Sequence, residues 1–345
     1  MPQSLPTAEF LELARTRPVI DVRSPAEFAH AHVPGAVSIP LFDNEERARV
    51  GTTYKQIGRD EAVLQGLDVV GPKLAGFVRQ VRELAAYGDD MLVHCWRGGM
   101  RSGSFAWLLE TSGFRVATLQ GGYKAYRQEV LQAFEQPQNI VILGGKTGSA
   151  KTDVLAQLQQ RGEQVIDLEA LANHKGSSYG RIGQLPQPTS EQFENLLYQQ
   201  WTQLDPTRRV WIEDESRSVG VCFVPPGLWQ QMRTAPVVFL DVDLEQRVDY
   251  LVDTYGQFPH EELLEATDRL KKRLGNDRHQ LAMQAIERRD YAEVTRITLQ
   301  YYDKAYLFGL AQRDSVQVHK IEVPGIDPAQ NAETLIKWAE SKFNE

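Results

Sequence analysis

An apolar run, Ile140-Val141-Ile142-Leu143, stops at Gly144-Gly145 and reaches Lys151-Thr152 a few residues later. A short apolar run bounded by glycine reads as a strand, and Asp153 to Gln160 beyond it reads as a helix. A strand that turns through a short glycine-rich loop into a helix commits this region to a parallel α/β sheet. The loop itself, Gly145, Lys146, Thr147, Gly148, Ser149, Ala150, Lys151 and Thr152, has the pattern Gly-x4-Ala-Lys-Thr of a phosphate-binding (Walker A) loop. Its N–H groups are placed to cradle a diphosphate, Lys151 to reach the outer oxygens, and Thr152 to ligate Mg²⁺. Ala150 stands where glycine is usual; alanine fits if the position keeps a negative φ, which implies a slightly reshaped loop.

A second anion loop lies upstream. Met91-Leu92-Val93-His94 leads into Cys95-Trp96-Arg97-Gly98-Gly99-Met100-Arg101-Ser102, and Ser102 to Glu110 reads as a helix. A thiol between a strand end and a helix start is met by loop N–H groups and the helix dipole, which lower its pKa. Gly98 and Gly99 let the backbone curl into an anion nest, and Arg97 and Arg101 add positive charge. A lone buried cysteine is usually inert; two arginines and two glycines in the next six residues favour a catalytic Cys95. Cys222, beside Phe223 and Val224, reads as a core residue. His94 precedes Cys95 on the strand, so its side chain points the other way and reads as structural.

Strands alternate with helices along the whole chain. Strand candidates are Pro18–Val22, Val37–Pro40, Met91–His94, Arg115–Leu119, Ile140–Leu143, Gln164–Asp167, Val210–Ile212, Pro236–Asp241 and Val316–Val323. Ser24-Pro25-Ala26-Glu27 has the signature of a helix start. The pattern lapses around Pro137, so residues 1–132 read as one α/β domain, 133–139 as a linker, and 140–345 as a second. Within the second, about 258–312 reads as a helical extension, and Glu333–Phe343 as a final helix. No stretch approaches the ~18 apolar residues of a membrane span, and no signal peptide is read at the N-terminus. Two cysteines in 345 residues exclude a disulfide framework and point to a reducing, cytoplasmic setting.

Ile212-Glu213-Asp214-Glu215 ends a strand in acids. Glu213 and Asp214 are the candidates for a Walker B-like site, with Thr152 and Asp214 as the expected metal ligands. Asn173 to Gly180, with His174, Ser177 and Ser178, reads as a substrate loop at the carboxyl edge of the sheet. The net charge of −8 argues against indiscriminate nucleic-acid binding. A local basic face is nonetheless present: Lys271, Lys272 and Arg273, flanked by Arg269, Arg278, Arg288 and Arg289, with Tyr301 and Tyr302 as stacking candidates. A solvated helix face is the equal alternative, and Arg208 with Arg209 is a second candidate.

The first domain resembles the rhodanese family of sulfurtransferases. The resemblance rests on Asp21-Val22-Arg23, Glu27-Phe28, His32-Val33-Pro34-Gly35-Ala36, His94-Cys95 and Gly121-Gly122-Tyr123, over roughly residues 5–130. One departure is the loop length: five residues, Trp96 to Met100, separate cysteine from arginine, where a common rhodanese loop has four. That spacing is also the one in rhodanese-like dual-specificity phosphatases, and it leaves room for a tetrahedral anion.

With the phosphate-loop domain added, the whole chain resembles the tRNA 2-selenouridine synthase family. Further residues that carry the likeness are Glu46-Arg47-Ala48, Gly51-Thr52-Thr53-Tyr54-Lys55, Asn173–Gly180 and Glu213–Arg217. The resemblance implies a rhodanese-like parallel-sheet domain followed by a P-loop NTPase-like α/β domain with a helical extension. It implies a transferase that converts wobble 2-thiouridine to 2-selenouridine through S-geranyl-2-thiouridine. The co-substrates would be geranyl diphosphate and selenophosphate, with Mg²⁺ as an expected ligand. The partners would be tRNAs for lysine, glutamate and glutamine, and a selenophosphate-producing enzyme. Cys95 would then handle selenium, with Arg97 and Arg101 as anion clamps. The rival readings are a cysteine-dependent phosphatase or sulfurtransferase fused to a P-loop kinase, and a non-catalytic sulfur-carrier module that binds nucleotide.

Overall fold

A computed structural model describes residues 2–314 and 317–343. Two compact units divide the chain: Met1–Ala133 with Glu194–Leu196, and Phe134–Phe193 with Leu197–Glu345. The first holds a five-stranded parallel sheet of β1 (Gln3–Leu5), β2 (Val19–Asp21), β3 (Val37–Ser38), β4 (Asp90–His94) and β5 (Arg115–Leu119), in the order β1-β5-β4-β2-β3. β1 has no sequence signal of its own; three residues are too few for a periodicity, and pairing with β5 creates it. Ile20, Val22, Met91, Val93, Phe105 and Leu109 form the core beneath the central strand.

Local chemistry explains the expected helix starts. Ser24 caps Pro25–His30 with a full capping box: its hydroxyl accepts from the Glu27 N–H, and the Glu27 carboxylate accepts from the Ser24 N–H. Val33-Pro34-Gly35-Ala36 is a tight turn, with Gly35 at φ 83° and the Ala36 N–H donating 2.9 Å to the Val33 carbonyl. Positive φ after proline is the type II geometry that favours glycine. Between β3 and β4 lie helices Asn44–Gln56, Arg59–Val70 and Leu74–Arg82.

The second unit has a parallel sheet of β6 (Ile140–Gly145), β7 (Gln164–Ile166), β8 (Val210–Glu213), β11 (Val237–Asp241) and β12 (Val318–Glu322), ordered β12-β11-β6-β8-β7. A small antiparallel pair, β9 (Ser218–Val219) and β10 (Cys222–Phe223), follows β8. Val316, the expected start of the last strand, lies outside the described residues. Helices Lys151–Gln160 and Pro328–Phe343 share one core with the sheet through Val154, Leu158, Trp211, Leu335 and Ala339. The expected helical extension is broken into His260–Asp268, Lys271–Leu274, Asn276–Glu287 and Tyr291–Leu310, with breaks at Gly275 (φ 79°) and Arg289 (φ 61°).

Candidate functional site

In the first unit, β4 delivers Cys95 to the carboxyl edge of the sheet, and helix Met100–Thr111 starts just beyond it. Cys95 is 3% exposed, and its sulfur lies 3.2 Å from the Ser102 hydroxyl. Burial alone would raise the thiol's pKa. The Ser102 hydroxyl and N–H, the Arg101 charge and the Arg97 N–H together outweigh it and hold the pKa below its ordinary value. Arg101 is tethered by Glu27, 3.0 Å away, and Arg47 lies 3.4 Å from the same carboxylate. Arg97 is exposed.

The glycines of this loop are set by close packing. Gly98 has φ 63°, and a Cβ there would lie 2.5 Å from the Leu119 carbonyl. Gly122, at φ 61°, would put a Cβ 2.4 Å from the Cys95 carbonyl. The turn after β5 is thus pressed against the cysteine loop, where the Tyr123 N–H donates 2.8 Å to the Cys95 carbonyl. Arg23, 1% exposed, pairs with Asp21 at 2.6 Å and lies 3.7 Å over the Tyr123 ring. The Asp-Val-Arg and Gly-Gly-Tyr signatures are therefore two halves of one buried brace behind the loop. His94 is fully buried and 3.7 Å from Asp21; desolvation lowers its pKa, consistent with a neutral packing residue.

In the second unit, Gly145–Ala150 joins β6 to helix Lys151–Gln160. Ala150 has φ 53° and is 4% exposed. It adopts the left-handed conformation glycine would take, not the negative φ expected from the sequence. The loop keeps its shape, and the alanine carries strain of about 1–2 kcal/mol. Lys151 donates 2.9 Å to the Gly145 carbonyl and pairs with Glu213 at 3.4 Å. Lys146 is drawn to Asp241 at 3.3 Å. Ser149 donates to the Lys146 carbonyl at 2.6 Å, and the Thr147 carbonyl accepts from Arg247 at 3.1 Å.

Of the expected pair, Glu213 lies beside Thr152 and Asp214 does not. Asp214 accepts from Arg313 at 2.6 Å and from the Tyr306 hydroxyl at 2.8 Å. That hydroxyl accepts in turn from the Gly145 N–H at 3.0 Å. Asp214 thus braces the loop through Tyr306, while the acids at Thr152 are others. Thr152 donates to Glu169 at 3.0 Å and to Glu213 at 3.4 Å. Oxygens of Glu169, Glu213 and Glu215 lie within 4.8 Å of one another. Burial, then the charges of Glu213 and Glu215, push the Glu169 carboxyl up to about 10. Burial and Glu213 push Glu215 to about 8, and burial also raises Glu213. Three crowded, desolvated carboxyls beside a threonine hydroxyl form a donor set suited to a hard divalent cation. Glu169 was missed because one acid three residues after a short strand carries no signal of its own.

The loop after this acid closes onto the cluster. Gly176 has φ 66°, and a Cβ there would lie 2.6 Å from Glu169 and 3.0 Å from Glu215. Its N–H donates to the His174 ring at 3.2 Å. Ser177 reaches the cavity, whereas Ser178 turns outward: its hydroxyl accepts from Arg273 at 3.2 Å, its carbonyl from Arg269 at 3.2 Å. Lys271, Lys272 and Arg273 are all exposed. Tyr301 packs half-buried against the helical core, and Tyr302 accepts from the Ser178 N–H at 3.0 Å. Both are half-buried, and Tyr302 also lines the cavity. Cys222 is buried, with its thiol 3.4 Å from the Pro188 carbonyl and its pKa pushed up to about 11 by desolvation.

A cavity of about 430 Å³ opens at the phosphate loop. Its polar part is lined by Lys151, Thr152, Glu169, Lys175, Glu213 and Glu215. Leu251, Tyr255, Leu263, Ile286, Tyr291 and Val294 line much of the remainder, with Thr254, Thr295 and Thr298 among them.

Two family models match the chain: the tRNA 2-selenouridine synthase AAA domain over residues 138–325 and the rhodanese-like domain over residues 7–129. A tRNA 2-selenouridine synthase of Pseudomonas fluorescens (strain Pf0-1) is 36% identical over 85% of this chain and 88% of its own length. One from a Sulfurovum species (strain NBC37-1) is 39% identical over 78% of this chain and 79% of its own. A third, from Marinobacter nauticus (strain ATCC 700491 / DSM 11845 / VT8), is 32% identical over 94% of each.

Proposed function

The chain belongs to the tRNA 2-selenouridine synthase family, and from that membership we propose that it converts wobble 2-thiouridine in tRNA to 2-selenouridine through an S-geranyl intermediate. The observation that carries the geranyl step is the cavity, where a diphosphate cradle and an apolar, aromatic chamber are continuous. A prenyl diphosphate matches it, with charge at the loop and hydrocarbon against the helices.

In the first step the sulfur at C2 of the base attacks C1 of the prenyl chain. The C–O bond to diphosphate breaks, its electron pair leaves with diphosphate, and the base loses its N3 proton. The loop N–H groups and Lys151 stabilise the charge that develops on the leaving group. Glu169, Glu213, Glu215 and Thr152 would hold Mg²⁺, which when bound supplies further neutralisation of the diphosphate.

Alkylation turns the sulfur into a leaving group. In the second step the thioether, selenophosphate and water give 2-selenouridine, geranylthiol and phosphate. The Cys95 loop would bind the tetrahedral selenium donor, with Arg97 at its exposed side, Arg101 within it and the Cys95 thiolate beside the selenium. The donor's selenium attacks C2, the C2–S bond breaks as geranylthiol leaves, and water takes the phosphoryl group from selenium. The tRNA would be held through Lys271, Lys272 and Arg273, which adjoin the Ser178 loop. Neutralising these three weakens tRNA binding and flattens its salt dependence if they contact phosphates.

The test is mass spectrometry of nucleosides from thiolated tRNA incubated with the protein, geranyl diphosphate and Mg²⁺, with and without selenophosphate. The expected result is S-geranyl-2-thiouridine without selenophosphate and 2-selenouridine with it. An unchanged nucleoside, with hydrolysis of ATP or an aryl phosphate instead, would overturn the reading in favour of a phosphatase–kinase fusion.

A further inference from the structure

The apolar part of the cavity has a direction. Leu251 sits on the phosphate loop, where a Cβ on Gly148 would lie 2.9 Å from its side chain. Tyr255 is one turn further along helix Leu244–Tyr255, about 6 Å away at 1.5 Å per residue. Lys175 lies 5.7 Å over the Tyr255 ring, and Glu169 acts on its phenol, whose pKa is raised to about 12, chiefly by burial. Tyr255 therefore stands where the charged and apolar parts meet. On its other side is the helical core, where Leu263 (3% exposed), Ile286 (1%) and Val294 (4%) face the cavity as one packed group. Ala266 and Ala285, both 0% exposed, belong to the same packed group and are not part of the cavity lining.

We propose that Leu263, Ile286 and Val294 form the floor of the chamber and set the length of prenyl chain that the protein transfers. The inference rests on the prenyl-transfer reading of this site. A chain anchored by its diphosphate at Lys151 runs past Leu251 and Tyr255, and its tail meets this floor. A longer chain must displace these side chains. The chamber deepens if a floor residue is shortened.

The experiment compares wild type, Ile286→Ala, the milder Ile286→Val, and Val294→Phe. Each is supplied with dimethylallyl, geranyl and farnesyl diphosphates and thiolated tRNA, and kcat/KM is measured for each donor. Ratios between donors are the readout, so partial loss of folded protein cancels. Shortening Ile286 raises the farnesyl-to-geranyl ratio about tenfold or more in the alanine variant, and by less in the valine variant. Val294→Phe shifts the preference toward dimethylallyl diphosphate. Ratios that stay at the wild-type value in all variants would overturn the assignment of the floor. Absence of prenyl transfer by the wild type from every donor would instead overturn the prenyl-transfer reading itself.

Discussion

At Cys95 a strand-end loop surrounds a thiol with donors; at Thr152 a strand-end loop faces three carboxylates. Both use the same local device, a parallel strand, a glycine-containing loop and a helix N-terminus. Around Cys95 the contacts are the Ser102 hydroxyl, two N–H groups and Arg101. These stabilise an anion that belongs to the protein. Around Thr152 the contacts are Glu169, Glu213 and Glu215. These disfavour an anion unless a cation comes with it. The same backbone motif is thus given two electrostatic settings by what its neighbours contribute: one loop favours a thiolate, the other favours a cation.

The largest expected effect separates the two loops by activity. Lys151→Ala lowers prenyl transfer by about 10²–10³ yet leaves selenation of tRNA supplied already S-geranylated. Cys95→Ala does the reverse. Nucleoside analysis with each variant reads both steps, and full selenation by Cys95→Ala would remove the thiol from the reaction.

A second contrast lies in backbone tolerance. Gly98→Ala places a Cβ 2.5 Å from the Leu119 carbonyl at a positive φ and costs about 3 kcal/mol or more. Denaturant unfolding measures it, and a cost below about 1 kcal/mol would show that the turn after β5 is not pressed against the loop.

The acids predict opposite behaviour with pH. Glu215 is held up at about 8 against an ordinary 4.5, so the folded chain binds more protons than the unfolded one across that interval. Stability therefore falls as pH rises from about 4.5 to about 8, by up to about 5 kcal/mol. Added Mg²⁺ restores it most at the alkaline end, where the carboxylates are free to bind. Thermal melts at a series of pH values test this, and a melting temperature indifferent to Mg²⁺ at every pH would remove the cation site. The thiol has the reverse sign, its pKa lying below the ordinary value. Ser102→Ala therefore moves the acid limb of selenation to higher pH.

The smallest effect is at Ala150. Glycine there relieves about 1–2 kcal/mol of left-handed strain and returns about 0.5–1 kcal/mol through unfolded-chain entropy. Ala150→Gly should stabilise by up to about 1 kcal/mol, where Gly98→Ala is costly. A net loss would mean that the methyl group packs usefully in the loop.

Much of this was legible from short stretches of sequence. The Cys95 and Lys151 loops, the Ser24 cap and the Val33–Ala36 turn are each encoded by residues that are neighbours in the chain. Hydrogen bonds and φ requirements at that range act before any fold exists. β1 was invisible because three residues gain their conformation from pairing with β5. Ala150 was misjudged because propensity favours a negative φ, while burial and the closing loop impose a positive one. Asp214 was taken for a metal ligand from its place in an acidic run. Its partners, Tyr306 and Arg313, lie some ninety residues on, and nothing near Asp214 announces them.

Sequence alone therefore determined the strand–loop–helix units, their order, and the identities of the thiol, the lysine and the glycines that bend the backbone. Tertiary structure decided which carboxylates face Thr152 and what lines the space beyond it. The order β11-β6-β8-β7 brings Glu169 and Glu213 from separate strand ends to the first turn of helix Lys151–Gln160. Helices from Leu244 to Leu310 supply the apolar walls. Charge repulsion and desolvation act through space, so a cluster of acids and a hydrocarbon chamber exist as such only once the sheet order and the helix packing have brought their parts together.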